Sequence, residues 1–153
     1  MRLLKHTLFI GLVILSFSCK KNKGGTPAPT EVEKATQLLT GESVTTTTVA
    51  DFWTVSSVIV DDLDYTFVFE GFTIQFSNNT FSTTNGKIVF DASGSWNFAD
   101  ETAQKIVLSN GVELTLLELT ETQLKFEFFW DETIYGGGRT NSVGGLNTFT
   151  LNR

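Results

Sequence analysis

Few residues in this chain can carry acid–base or nucleophilic chemistry. Among its 153 residues the only histidine is His6 and the only cysteine is Cys19. Histidine is the side chain that most often serves as a general base near neutral pH, and Ser-His-Asp and Cys-His arrangements both depend on it. Zinc sites need several histidines or cysteines. Because His6 lies in a segment that we expect to be removed, these catalytic and metal-binding classes are excluded.

Carboxylates and one glycine run are the remaining candidates. Two carboxylates suffice for glycoside hydrolysis, so this enzyme class stays open, but paired acids are common on ordinary surfaces. The run Gly136–Gly138, followed by Arg139, lacks the spacing and the lysine of a phosphate-binding loop. We therefore predict a non-enzymatic protein with no cofactor.

The densest acidic cluster consists of Asp61, Asp62 and Asp64. Oxygen ligands at this spacing can hold calcium, but the Asp-x-Asp-x-Asp-Gly pattern of a calcium loop is absent. A solvated turn between two strands is the favoured interpretation, and no metal site is predicted.

The N-terminal segment has the pattern of a bacterial lipoprotein leader. Arg2 and Lys5 precede an apolar run from Leu8 to Leu15, which is too short to span a bilayer. Ser18 and Cys19 follow, and the arrangement resembles a lipobox, although its leucine stands four rather than three residues before the cysteine. We predict a signal peptide over residues 1–18 and acylation of Cys19; ordinary secretion with cleavage after Ser18 is the alternative.

Residues 19–30 are predicted to form a flexible tether, because they contain both prolines and no apolar run. Lys20, Lys21 and Lys23 would lie beside anionic headgroups or simply keep the tether solvated. Surface-exported lipoproteins of Bacteroides-type bacteria tend to carry acidic residues here, so lysines favour the periplasmic face of the outer membrane. From Glu31 onward the chain has 6 basic against 17 acidic residues, a net charge of −11. That charge argues against a nucleic-acid partner.

Residues 31–153 are predicted to form one domain with a short helix and many strands. Thr30 and Glu33 form a capping box before a helix from Glu31 to Thr40, and Gly41 ends it. Alternating apolar residues then predict strands. These strands are expected near Trp53–Ile59, Tyr65–Phe69, Phe72–Phe76, Phe81, Ile88–Phe90, Trp96–Phe98, Ile106–Leu108, Val112–Leu119, Leu124–Trp130 and Phe149–Leu151.

The turns predict a meander. Asn85-Gly86 and Asn110-Gly111 suit two-residue type I′ hairpins. The apolar parity changes between Leu114 and Leu119, which predicts a β-bulge. Eight or nine consecutive strands predict an all-β, antiparallel up-and-down barrel, and a two-sheet sandwich is the alternative.

Taken together, the chain resembles the lipocalin-like lipoproteins of Bacteroides-type bacteria across residues 38–153. The resemblance implies a small antiparallel barrel of a kind that can enclose a ligand cavity, and it implies no reaction. A classical lipocalin has Gly-x-Trp on its first strand, whereas Trp53 follows Asp51-Phe52. The residues that carry the resemblance are Cys19, Trp53, Val55, Ser57, Thr73, Ile74, Phe76, Gly94, Trp96, Leu124 and Phe126.

Three kinds of binding partner are compatible with these patterns. A small apolar molecule would lie in the barrel, a neighbouring envelope protein would contact its surface, and a glycan would stack on exposed aromatic side chains. A barrel filled by phenylalanine would favour the protein partner. The candidate lining residues are Trp53, Phe67, Phe76, Trp96 and Phe126, and Tyr135 and Arg139 are candidate polar contacts in the glycine-rich segment 131–146.

Overall fold

A computed structural model describes residues 27–42, 52–131 and 144–153 of the chain. The predictions for the signal peptide, for acylation of Cys19 and for contacts by Tyr135 and Arg139 fall outside these residues. The predicted folded domain, residues 31–153, begins with a helix that belongs to the described part of the chain.

The described strands form a closed antiparallel barrel, which confirms the predicted fold class. Strands β3 to β9 pair in chain order, and β9 pairs with β1 over six positions, from Thr54–Asn152 to Val60–Asn147. β1 also pairs with β3 at Trp53–Ile74. The barrel therefore consists of eight strands, β1 and β3–β9. The elements are α1 (Glu31–Thr40), β1 (Trp53–Val60), β2 (Leu63–Asp64), a 3-10 turn (Thr66–Phe69), β3 (Thr73–Ser77), β4 (Thr80–Thr84), β5 (Ser93–Phe98), β6 (Lys105–Leu108), β7 (Glu113–Leu119), β8 (Gln123–Trp130) and β9 (Gly145–Asn152).

Alternation along the strands sorts side chains between the interior and solvent. In β8, Leu124, Phe126 and Phe128 are buried, whereas Lys125 and Glu127 between them are partly exposed. Successive side chains of a strand point to opposite faces, so a period of two buries every second residue. The predicted bulge is also present, because the register between β7 and β8 shifts between Leu116 and Glu118.

Helix α1 closes one end of the barrel, which we call the capped end. β1 begins at this end, and the β3–β4, β5–β6 and β7–β8 turns also lie there. The capping box is formed: the Glu33 amide donates to Thr30 Oγ1 at 3.1 Å, and Gly41 ends the helix with φ 73°. Leu39 is fully buried, and its carbonyl accepts a hydrogen bond from Trp53 Nε1 at 2.9 Å. Among the described residues no helix is long and apolar enough to cross a membrane.

The other end, which we call the open end, contains the β1–β2 turn, segment 85–92, the β6–β7 turn, the end of β8 and the start of β9. The prediction of a strand at Ile88–Phe90 and of a type I′ hairpin at Asn85-Gly86 is wrong. Segment 85–92 instead turns into the barrel, with the Phe90 amide donating to the Gly86 carbonyl at 3.1 Å. Val89 and Phe90 are thereby buried, which an outward hairpin would not achieve.

The predicted strand at Tyr65–Phe69 is wrong as well, since most of it forms the 3-10 turn. Asp64 Oδ1 accepts the Thr66 amide at 2.8 Å, and Thr66 Oγ1 accepts the Val58 amide at 3.0 Å. These two bonds turn the chain beside β1. A 3-10 turn places residues three apart on one side, so Phe69 and Phe72 point inward while Phe67 points outward.

Two turns show how the backbone selects its residues. Asp61 and Asp62 have φ 45° and 67° and form a type I′ turn between Val60 and Leu63. The predicted turn at the acidic cluster is therefore confirmed. The hairpin at Asn110-Gly111 is present but is not type I′, because only Gly111 has a positive φ, 88°. It is a three-residue loop with a left-handed glycine.

Replacing Gly145 should destabilise the barrel where β9 meets the β1–β2 turn. Gly145 has φ 123°, and an added Cβ would overlap the Asp61 carboxylate, whose Oδ1 accepts the Leu146 amide at 2.9 Å. We expect Gly145→Ala to lower the free energy of unfolding by about 2–4 kcal/mol in urea titrations.

Gly111→Ala is the matched control, since Gly111 also has a positive φ but an added Cβ meets no atom within 4 Å. It should cost only the backbone strain, about 1–2 kcal/mol. Equal losses in the two variants would show that the contact with Asp61 does not matter.

Candidate functional site

The barrel interior is filled by a cluster of phenylalanines. Phe90 lies within it, with ring centroids 5.0 Å from Phe72 and 5.6 Å from both Phe128 and Phe149. Phe126 stacks on Phe149 at 5.4 Å. These separations are those of touching aromatic rings. The centre of the barrel is therefore a packed core.

Four of the five predicted lining residues point inward as expected, but they pack against other side chains of the protein. Trp53, Phe76, Trp96 and Phe126 are each at most 4% exposed. The ring of Trp53 lies 4.2 Å beneath the Arg153 guanidinium, and Trp96 packs edge-on against Phe76 at 5.4 Å.

The indole N–H groups of these tryptophans are satisfied inside the fold. Trp53 Nε1 donates to the carbonyl of Leu39, and Trp96 Nε1 lies 3.0 Å from the carbonyls of both Ser77 and Thr80. Buried indoles normally find such partners. Both tryptophans thus hold the fold together.

Phe67 is the predicted lining residue that the structure contradicts. Its side chain is 67% exposed on the outside of the 3-10 turn, where it stacks on Tyr65 at 6.2 Å. The prediction assumed strand alternation, and the three-residue period of the turn reversed its direction.

A surface groove lies between the start of β7 and the end of β8, at the open end. It has a volume of about 590 Å³. The last pair that joins these two strands toward the open end is Thr115–Glu127, yet β8 continues to Trp130. The strands therefore separate, and the β7/β8 groove occupies the gap. Its lining residues are Lys105, Asn110, Gly111, Val112, Glu113, Thr115, Glu127, Phe128, Phe129, Trp130, Asp131 and Leu146.

Apolar and acidic groups line this groove together. Phe129 is 69% exposed and lies opposite Leu146, which is 45% exposed, in the β8–β9 register. Trp130 is partly buried against the core, and its Nε1 atom is buried without a hydrogen-bond partner. Such a donor is costly to leave unpaired, but it is not accessible from the groove, which therefore offers an aromatic surface only.

Among the described lining residues, three carry carboxylates and one carries an ammonium group. Glu113, Glu127 and Asp131 are acidic lining residues, and Lys105 is engaged with Glu113 at 2.9 Å. Within residues 27–42, 52–131 and 144–153 no group of three or more metal-ligating side chains comes together. The arrangement suits binding by contact and charge.

A second, smaller pocket of about 290 Å³ lies under α1 at the capped end, between Thr36 and the β3–β4 and β5–β6 turns. Its carboxylate Asp100 is used by its own turn, since Oδ1 accepts from both the amide and the hydroxyl of Thr102 at 2.8 and 2.6 Å. The hydrogen bond from the Thr102 side chain, and next that from its backbone, lowers the pKa of Asp100. Of the two acidic residues that line this pocket, Asp100 and Glu101, Asp100 thus stabilises a turn.

The open end carries a small majority of the exposed apolar residues. Of the seven large hydrophobic side chains exposed in the described part of the chain, four belong to it: Leu63, Ile88, Phe129 and Leu146. Phe129 and Leu146 were not predicted as contacts. The run Phe128-Phe129-Trp130 could have indicated an exposed aromatic residue, because three consecutive aromatics in a strand must place at least one on the outer face.

Comparison with known proteins finds no match that would indicate a function, so the side chains of the groove are the main guide to it. No protein-family model matches the chain, and the curated proteins contain no significant match to it. The fold is consistent with a lipocalin-like barrel that has room for a ligand on its surface.

Truncating Phe90 should test whether segment 85–92 completes the core. Phe90→Ala removes a ring that touches Phe72, Phe128 and Phe149 and should lower the free energy of unfolding by about 3–5 kcal/mol. Phe129→Ala is the control, with an expected change within about 0.5 kcal/mol because that ring is mostly solvated. Equal losses in urea titrations would show that Phe90 does not fill the core.

Proposed function

We propose that this protein is a non-enzymatic lipoprotein of the cell envelope, anchored by acyl chains on Cys19, that binds another envelope protein at the open end of its barrel. One observation carries the proposal: phenylalanines fill the interior, while four of the seven exposed large apolar side chains of the described residues lie at the end opposite the helix. An interior already packed leaves the outer surface as the place for contacts.

The position of the tether supports this arrangement. Pro27, the first described residue, stands eight positions after Cys19 and leads directly into α1 at the capped end. Eight extended residues reach at most about 29 Å. A domain held this way keeps the capped end nearer the membrane and leaves the open end facing the envelope space. The periplasmic face of the outer membrane is the location we infer, from the lysines after Cys19.

The alternative ligands have weaker support. A small apolar molecule inside the barrel would have to displace phenylalanine rings that touch one another. A glycan site uses exposed aromatic faces, but Trp53 and Trp96 are buried with their N–H groups bonded. Phe129 and Trp130 remain, beside acidic side chains that suit a protein surface at least as well.

The anchor can be tested by metabolic labelling with an alkyne-bearing palmitate. We expect the protein to take up the label and to sediment with the outer membrane, because acylation of Cys19 supplies its membrane affinity. Cys19→Ala should lose the label and enter the soluble fraction, whereas Lys20→Ala should retain both properties. An unlabelled wild-type protein, or a labelled Cys19→Ala variant, would contradict the anchor.

The contact surface can be tested in cells by photo-crosslinking. A benzoylphenylalanine at position 129 should crosslink to one defined envelope protein, while the same group at Phe52, an exposed phenylalanine at the capped end, should not. Native mass spectrometry of the purified protein supplies the counter-test. The proposal would be contradicted if a small molecule remained bound after delipidation and if crosslinking were equal at positions 129 and 52.

A further inference from the structure

At the end of β8, one strand edge is not paired by any strand of the described residues. Phe128, Phe129 and Trp130 pair on one side with Asn147, Leu146 and Gly145 of β9. On the other side, the pairing with β7 stops at Glu127, and no strand among the described residues continues it. An edge of this kind presents backbone N–H and C=O groups to an incoming strand.

The space beside that edge is suited to an added strand. The β7/β8 groove runs along Phe128–Asp131 and is bounded on its far side by the β6–β7 turn and Glu113. Three strand residues span about 10 Å. The volume of about 590 Å³ suits a short extended segment.

The charges at the groove indicate the composition of that segment. Glu127 and Asp131 flank the free edge, and Glu113 faces it, while the one lining lysine, Lys105, is already paired with Glu113. Phe129 and Leu146 add an apolar surface beside these acids. A complementary strand would alternate basic and apolar side chains.

We propose that the β7/β8 groove binds an extended basic segment of a partner protein by strand addition to the Phe128–Trp130 edge of β8. The idea rests on the proposed function and specifies how the partner is recognised. Backbone hydrogen bonds would provide affinity, and the carboxylates with Phe129 would select alternating basic and apolar residues.

Two other occupants fit the groove less well. A second copy of this chain would bring the same three carboxylates into the gap, between domains that each carry a charge of −11 from Glu31 onward. A small apolar molecule would cover Glu127 and Asp131 without pairing them, and an unpaired buried charge is costly.

The probe for this proposal is an acetylated and amidated octapeptide of alternating lysine and valine, added to the purified full-length protein. Amide hydrogen exchange at Phe128, Phe129 and Trp130 is the measurement. We expect exchange at one or more of these amides to slow by at least about tenfold when the peptide pairs with the edge. The same peptide N-methylated at two adjacent central residues, which blocks both of its edges, should give no protection.

Charge-reversal variants provide a matched comparison. Glu127→Lys with Asp131→Lys should weaken peptide binding by at least about tenfold. Glu101→Lys with Glu121→Lys makes the same change in net charge at turns of the capped end and should leave binding within about twofold of wild type. Unchanged thermal unfolding of both double variants would confirm that the barrel is intact.

Three outcomes would overturn strand addition. One is the absence of protection by the lysine–valine peptide, and another is equal protection by its N-methylated form. The third is protection that appears without peptide as the protein concentration rises, which would identify a second copy as the occupant. If crosslinking at position 129 still captures an envelope protein in any of these cases, the proposed function stands and only the mode of recognition fails.

Discussion

The packing of Phe90 among the aromatic residues of distant strands is the contact on which the rest of the structure depends. Phe90 reaches Phe72, Phe126, Phe128 and Phe149 with ring centroids between 5.0 and 6.3 Å. Each fully buried ring of this size contributes about 1.5–3 kcal/mol from its removal from water. Segment 85–92 therefore turns into the barrel, because an outward hairpin would leave that space empty and that ring in water.

The filled barrel leaves its grooves on the outside, and its two ends differ. At the capped end, Trp53 donates a hydrogen bond to Leu39 and makes a cation–π contact with Arg153. Helix α1, the start of β1 and Arg153 are thereby held together. At the open end, β7 and β8 separate and leave a groove with Phe129 exposed. The end under α1 is therefore closed, and the groove lies at the opposite end.

The parts of the fold that could be predicted from sequence are those determined by local residues. The Thr30–Glu33 capping box and Gly41 bound α1 as expected, and the alternation of Leu124, Phe126 and Phe128 placed those residues inside. The β7 bulge was visible as a change of apolar parity. Each of these signals acts within about ten residues of chain, where backbone geometry limits the choices.

The candidate site was harder to predict, because apolar residues alone do not show which of them are buried. Phe67, Phe90 and Phe129 are the same residue type in similar local patterns, yet Phe90 is buried and the others are two-thirds exposed. The difference comes from the 3-10 turn after β2, the inward turn of segment 85–92 and the early end of the β7–β8 pairing.

By itself, then, the sequence determined the helix and its ends, most of the strands, the antiparallel order and the acidic charge of −11 from Glu31 onward. Only the tertiary structure decided that the barrel is filled and that a groove opens between β7 and β8. The physical reason is that burial of a side chain depends on neighbours supplied by strands far away in sequence, and a local pattern contains no information about them.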